Sequence, residues 1–122
     1  IINAEARGFD ADFYVKTLHH SNYWSSRRPD QGTNVVGNRA DNFWEPTPEK
    51  TIEFMKTVKK PWIAFKTLAA GAIHPREGFK YAFENGADFL CVGMFDFQVR
   101  EDAIIAKRSF ADAQRRPRSW MA

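Results

Sequence analysis

The sequence predicts an α/β fold in which three strands form a parallel sheet and a helix follows each strand. Two observations predict this fold. Stretches rich in aromatic and β-branched residues alternate along the chain with stretches in which apolar residues recur at helical spacing. The last predicted strand, residues 89–94, is apolar throughout, as is typical of a strand covered on both faces. Because alternating strands and helices are joined by right-handed crossovers, the strands are expected to run parallel.

The predicted strands lie at residues of about 12–19, 62–68 and 89–94. The residues before the first strand are interpreted as the end of a helix, with Gly8 as its C-cap. A chain that begins within a helix is typical of a fragment. We therefore expect the 122 residues to form one partial domain of a longer protein.

Three helices are predicted after the strands. The first begins after Thr47, which favours the N-cap position, and ends before Pro61. The second begins at His74 and ends at Gly86, a residue that favours the C-cap. The third runs from residue 100 to about residue 114. The basic end of the chain, residues 107–122, is interpreted as a solvated helix end.

Composition and charge argue against several classes of protein. The 18 Lys and Arg residues and 15 Asp and Glu residues give a formal net charge of +3, which does not indicate a nucleic-acid partner. No apolar stretch approaches the roughly 18 residues of a membrane span. The single cysteine, Cys91, suits a reducing compartment. We expect a cytoplasmic protein with a small-molecule substrate and with neither nucleic acid nor membrane as a partner.

A long polar segment, residues 21–46, follows the first strand. Connections in such folds usually run a few residues, so a long one indicates function or disorder, and its aromatic residues argue against disorder. Aromatic rings beside amide and guanidinium groups suit a sugar-like substrate, and packing on a neighbouring subunit is the alternative. The candidate substrate-binding residues of this segment are Tyr23, Trp24, Arg39, Asn42 and Trp44.

Four short runs between residues 60 and 100 resemble the last two βα units of phosphate-binding TIM barrels. These runs are Lys60-Pro61-Trp62-Ile63-Ala64, Ala70-Gly71-Ala72-Ile73, Glu84-Asn85-Gly86-Ala87-Asp88 and Val92-Gly93-Met94. The resemblance implies that the chain forms the last three βα units, strands 6–8, of a (βα)8 barrel. Active sites of such barrels lie at the carboxyl ends of the strands. We therefore include Gly71 and Gly93 among the candidate substrate-binding residues.

A second resemblance concerns the predicted strand lysines. The runs Ala11-Asp12-Phe13-Tyr14-Val15-Lys16-Thr17 and Phe65-Lys66 are similar to class I aldolases of the deoxyribose-phosphate aldolase type. In that family a lysine on strand 6 forms a Schiff base and a lysine on strand 7 assists it, which implies these roles for Lys16 and Lys66. The serine-rich turn that holds phosphate in the family is absent here. The chain also resembles poorly characterised bacterial TIM-barrel proteins.

The alternation of the strands gives the lysines a predicted direction. Lys16 shares one strand face with Tyr14, while Val15 and its β-branched or Phe neighbours share the other face. We expect the second face to lie under the helices. Both Lys16 and Lys66 would then point into the barrel, where a buried amine is suited to nucleophilic attack. The alternative is a lysine that is paired with a carboxylate.

Three further polar residues follow the strands. His20 and His74 are candidates for acid–base assistance at the carboxyl ends of the first and second strands. His19 and His20 are adjacent, so in a strand they point to opposite faces and would not bind one metal ion together. Asp96 follows the third strand as a candidate substrate-binding residue. Helix capping is the alternative for both His74 and Asp96.

The sequence thus predicts a TIM-barrel enzyme that acts on a small carbonyl or sugar-derived substrate, with aldolase-like lyase chemistry through a strand lysine. The alternatives are a metal- or nicotinamide-dependent sugar isomerase or oxidoreductase, and a non-catalytic half-barrel assembly subunit. No cofactor is predicted for the first reading, whereas the enzyme alternative would use a divalent metal or NAD(P). Closing the sheet requires the missing N-terminal half of the barrel or a homo-oligomer, because open strand edges invite association.

Overall fold

A computed structural model describes residues 1–27 and 43–121 of the chain. The helices and strands found in these ranges alternate as predicted. In chain order they are α1 (Ile2–Ala6), β1 (Tyr14–Thr17), α2 (Pro48–Met55), β2 (Trp62–Phe65), α3 (Pro75–Glu84), β3 (Phe89–Cys91) and α4 (Val99–Asp112). Short 3-10 turns at Ala69–Gly71 and Asp96–Gln98 follow β2 and β3.

The three strands form one parallel sheet in the order β1-β2-β3. This confirms the α/β class and the parallel sheet. The strands are shorter than predicted, with lengths of four, four and three residues. The backbone of Lys66 has a φ of 59°, so the chain turns out of the sheet directly after β2. Lys66 is therefore a loop residue and not a strand residue, and β1 finds no partner beyond Phe65.

Helices α2 and α3 cover one face of the sheet. Trp62 and Ala64 of β2 are completely buried there, together with Met55 and Val58 from the region of α2. Close contact between α3 and the chain after β2 requires glycine at position 78, because a Cβ there would lie 2.7 Å from the carbonyl oxygen of Thr67. The core is therefore a single layer of helices on a three-stranded sheet.

The opposite face of the sheet is open, which reverses the predicted orientation of the strands. Val15 and Phe89 are 49% and 46% exposed on that face, whereas Tyr14 is buried under the helices. Lys16 lies on the helix side, beside Thr51 of α2. The prediction was wrong because burial of the larger Tyr14 and Trp62 side chains removes more apolar surface from water than burial of Val15 and its neighbours would.

The basic end of the chain is folded back onto the sheet and is not a solvated helix end. Arg116 and Arg118 donate to the buried carboxylate of Asp88 at 2.9 and 2.7 Å. Arg118 also donates to the backbone carbonyls of Val58 and Lys60. Burial lowers the pKa of Arg116. The earlier interpretation failed because Asp88 lies about thirty residues away in sequence, so that only the tertiary fold brings a counter-charge to the arginines.

No helix in the described part of the chain is long and apolar enough to cross a membrane.

Candidate functional site

Two groups of polar side chains lie at the carboxyl ends of the strands. The first, which we call the β1 cluster, consists of Lys16, His19, Glu45 and Thr51. The second surrounds a cleft of about 620 Å³ between the chain segments that leave β2 and β3, and we call it the β2–β3 cleft.

Glu45 is the centre of the β1 cluster. Its side chain is 3% exposed and forms an ion pair with Lys16. It also accepts hydrogen bonds from the hydroxyl of Thr51 at 3.0 Å and from the backbone N–H of Thr47 at 3.2 Å. Lys16 is therefore held by a carboxylate, which is the alternative that the sequence left open. No sequence pattern indicated Glu45 as this partner, because it lies 29 residues from Lys16 in a polar segment.

His19 fastens the long segment to the end of β1. It is 1% exposed, and its Nδ1 donates to the carbonyl of His20 at 2.9 Å. Its Nε2 accepts from the backbone N–H groups of Trp44 and Glu45 at 3.1 and 3.0 Å. These bonds require a neutral ring with its proton on Nδ1, and burial lowers the pKa of His19 accordingly. His19 was missed as an anchor, although the adjacent histidines already implied that one ring points inward.

His20 lies between α3 and the start of the long segment. Its Nδ1 accepts from the backbone N–H of Asn22, and its Nε2 lies 3.2 Å from a carboxylate oxygen of the half-exposed Glu77. The ring of Tyr81 contacts it edge-on at 5.3 Å. Burial raises the pKa of Tyr81 to about 12, so its hydroxyl stays neutral at physiological pH.

The structure places His74 at the N-cap of α3 and Asp96 in the 3-10 turn before α4. His74 is the N-cap of α3, and its Nδ1 accepts from the backbone N–H of Arg76 at 3.2 Å. Asp96 accepts from the backbone N–H of Phe97 at 2.8 Å at the turn before α4. Both side chains are exposed, and neither of them lines the β2–β3 cleft.

The aromatic candidates of the long segment differ in their surroundings. Trp24 is 85% exposed, whereas the half-buried Tyr23 contacts the rings of both His19 and His20. Trp44 is half-buried, and the Nζ of Lys66 lies 4.6 Å from the centre of its ring. The remaining candidates of the segment, Arg39 and Asn42, lie outside the described residues.

The β2–β3 cleft brings Lys66, Gly71 and Gly93 together. The backbone of Lys66, Ala69 and Ala70 has φ values of 59°, 45° and 55°, in the left-handed region that favours glycine. Each such residue costs roughly 1–3 kcal/mol, and conformations of this kind cluster at functional sites. Gly71, with a φ of 89°, adopts its conformation without that cost.

Two buried polar atoms beside this cleft have no hydrogen-bond partner within the described ranges. They are Oγ1 of Thr67 and Oδ2 of Asp102, in residues that are 1% and 4% exposed. An unsatisfied buried polar group costs about 1–3 kcal/mol, and more when it is charged. Sequence reasoning missed both residues, because nothing in the pattern of α4 indicated that Asp102 faces inward.

Among residues 1–27 and 43–121, no group of three or more His, Cys, Asp or Glu side chains is placed to bind a metal ion. The chain matches no protein family, no curated protein and no solved structure.

Proposed function

We propose that the three βα units belong to a (βα)8 barrel, and that the β2–β3 cleft is part of the active site of an enzyme acting on a small carbonyl or sugar-derived substrate. The cleft lies at the carboxyl ends of two parallel strands, which is where barrel enzymes bind their substrates. One observation carries the proposal: Lys66 and two residues with buried, unpartnered polar atoms line a single cleft.

Lys66 is the proposed nucleophile. Of the two lysines that the sequence indicated, only Lys66 lines the cleft, since Lys16 is held by Glu45. The amine of Lys66 attacks the carbonyl carbon of the substrate, and the carbonyl oxygen then leaves as water, so that an imine remains. The ring of Trp44 holds the side chain of Lys66 in place between reactions through a cation–π contact.

Exposed aromatic rings beside the cleft favour a sugar-derived substrate. Phe95 lines the cleft, is 69% exposed and stacks on Phe97, with ring centres 5.5 Å apart. Ligand sites combine such flat apolar surfaces with a few polar groups that fix the orientation of the ligand. The apolar face of a sugar ring fits this surface while its hydroxyls reach polar groups in the cleft.

Borohydride trapping tests the proposed chemistry. The full-length protein is incubated with glyceraldehyde or dihydroxyacetone and reduced, and its peptides are analysed by mass spectrometry. We expect an adduct on Lys66 that is lost in Lys66→Met and retained in the control variant Lys107→Met, since Lys107 is exposed on α4. Turnover of a carbonyl substrate without an adduct on either Lys66 or Lys16 would favour the metal- or nicotinamide-dependent alternative.

The open face of the sheet favours a second element of the proposal, in which further strands or a second copy of the chain complete the barrel. Val15 and Phe89 expose about half of their surface on this face, and such apolar patches are typical of interfaces. We expect light scattering on the 122-residue chain to detect association. A compact, folded monomer at all concentrations contradicts this element.

The free Cys91 suits a cytoplasmic location, which we include in the proposal.

A further inference from the structure

Asp102 differs from the other buried acids of this protein. Among the residues that the structure describes, the buried acids are Glu45, Asp88 and Asp102, each of which is less than 5% exposed. Glu45 is held by Lys16, and Asp88 is held by two arginines. The carboxylate of Asp102, by contrast, makes no hydrogen bond or ion pair with any described residue. Because buried carboxylates are normally paired, we expect the carboxylate of Asp102 to bind a group that is not among the described residues.

The position of Asp102 indicates where that partner binds. Acids in the first turn of a helix usually face solvent, as Glu101 of α4 does. Asp102 instead forms part of the wall of the β2–β3 cleft. Thr67 lines the same cleft from the end of β2, and its hydroxyl also lacks a partner among the described residues. A carboxylate and a hydroxyl are thus both buried and both unsatisfied beside one cavity.

We propose that Asp102 and Thr67 form a hydroxyl-binding subsite, which makes the β2–β3 cleft selective for neutral polyhydroxylated ligands. A ligand hydroxyl donates its proton to the carboxylate of Asp102, and its oxygen accepts from the hydroxyl of Thr67. The bond to the carboxylate is charge-assisted and therefore stronger than a bond between neutral groups. The subsite rests on the proposed function, because it names the substrate class of the same cleft.

The charges around the cleft restrict the ligand further. The carboxylate of Asp102 repels a phosphate or carboxylate group at this subsite. Lys66, which lines the same cleft, disfavours a cationic ligand. Neutral hydroxyl compounds are the class that neither charge repels.

Alditols test the subsite separately from the chemistry, because they carry hydroxyls but no carbonyl group. Erythritol, xylitol and sorbitol are titrated into the full-length protein, and its backbone amide signals are followed by NMR. We expect saturable shifts at Thr67, Asp102 and Gly93 in the unaltered protein. Thr67→Val and Asp102→Leu should each weaken binding at least about tenfold, equivalent to roughly 1.4 kcal/mol. Glu101→Gln, on the exposed side of α4, is the matched control and should bind like the parent.

Several outcomes overturn the subsite: no saturable shifts with any of the three alditols, shifts that lie away from the cleft, or equal affinity of parent and Asp102→Leu. Tight binding of glucamine without binding of sorbitol also overturns it, since that result assigns Asp102 to an amine. The NMR shifts are measured on the unaltered protein, so they test the subsite even if a variant fails to fold. Alditol binding without a borohydride adduct contradicts only the proposed imine chemistry. An adduct on Lys66 without alditol binding contradicts only the hydroxyl-binding subsite.

Discussion

The two ends of the sheet differ in whether their buried polar groups have hydrogen-bond partners. At the amino ends of β2 and β3, Asp88 accepts from two arginines and from the backbone N–H groups of Trp62 and Met121, at 2.7 to 3.0 Å. Near the carboxyl ends of the same strands, Oγ1 of Thr67 and Oδ2 of Asp102 have no partner among the described residues, and the backbone is strained. Paired charges therefore stabilise the amino ends of the strands, whereas the carboxyl ends border the cleft that we propose as a ligand site.

The same contrast separates the two lysines. Lys16 is bound to a buried carboxylate that is also satisfied by Thr51, so its amine is part of the fold. Lys66 is exposed and contacts the face of Trp44. The sequence alternation predicted that the two amines lie together, whereas Lys16 is paired with a carboxylate and the amine of Lys66 lies against an aromatic ring.

The largest effect is expected at Asp88. Asp88→Asn leaves two buried guanidinium groups without a counter-charge, and we expect the free energy of unfolding to fall by about 3–5 kcal/mol. Asp102→Asn is the matched variant at the opposite end of the strands. It should change stability by less than about 1 kcal/mol or increase it, because it removes a buried charge that has no partner. Urea unfolding of both variants measures the difference in the free energy of unfolding. Equal losses for the two variants would contradict the proposed difference between the two ends of the strands.

A smaller effect is expected for the lysines. Lys16→Met leaves the buried Glu45 without its cation, and we expect a loss of roughly 2 kcal/mol, reduced by the partial exposure of Lys16. Lys66→Met removes only a contact with the Trp44 ring and should cost less than about 1 kcal/mol. Chemical denaturation of the two variants under identical conditions tests this. A larger loss for Lys66→Met would make Lys66 a structural residue.

The sequence predicted where helices begin better than it predicted which face of the sheet the helices cover. Pro48 and His74 marked the starts of α2 and α3 correctly, because capping preferences are local. The direction of Lys16 was wrong, because alternation tells which residues share a face but not which face the helices cover. That choice depends on the volumes of Tyr14 and Trp62 and on contacts between distant segments.

The candidate site was predictable only in its location. The sequence predicted a site at the carboxyl ends of the strands, and Lys66 and Gly93 line the cleft found there. Glu45, Thr67 and Asp102 were missed, because a charge or a hydroxyl in a sequence carries no signal of whether it will be buried. Burial of such a group is decided by tertiary contacts, which a single sequence does not reveal.

A third expected effect depends on pH and reports on the β1 cluster. Burial lowers the pKa of His19 below its ordinary value of 6.5, which is also the value in the unfolded chain. The unfolded state therefore binds more protons as the pH falls below 6.5, and the folded state loses stability by at most about 1.4 kcal/mol per pH unit until the folded pKa is reached. Urea midpoints between pH 7.5 and 5 should show this slope. His19→Gln should flatten it, whereas His74→Asn, at an exposed cap, should leave it unchanged.

The smallest change in stability is expected at Trp24, on the exposed side of the segment that His19 anchors. Trp24 is 85% exposed, so Trp24→Ala should alter the free energy of unfolding by less than about 0.5 kcal/mol. If the segment covers the substrate, the same change should weaken sorbitol binding several-fold, because a flat apolar surface is lost, and Trp24→Phe should restore most of it. Thermal melting together with the NMR titration separates the two effects. A large fall in melting temperature with intact binding would assign Trp24 to the packing of the fold, and the β2–β3 cleft would then act without a cover from this residue.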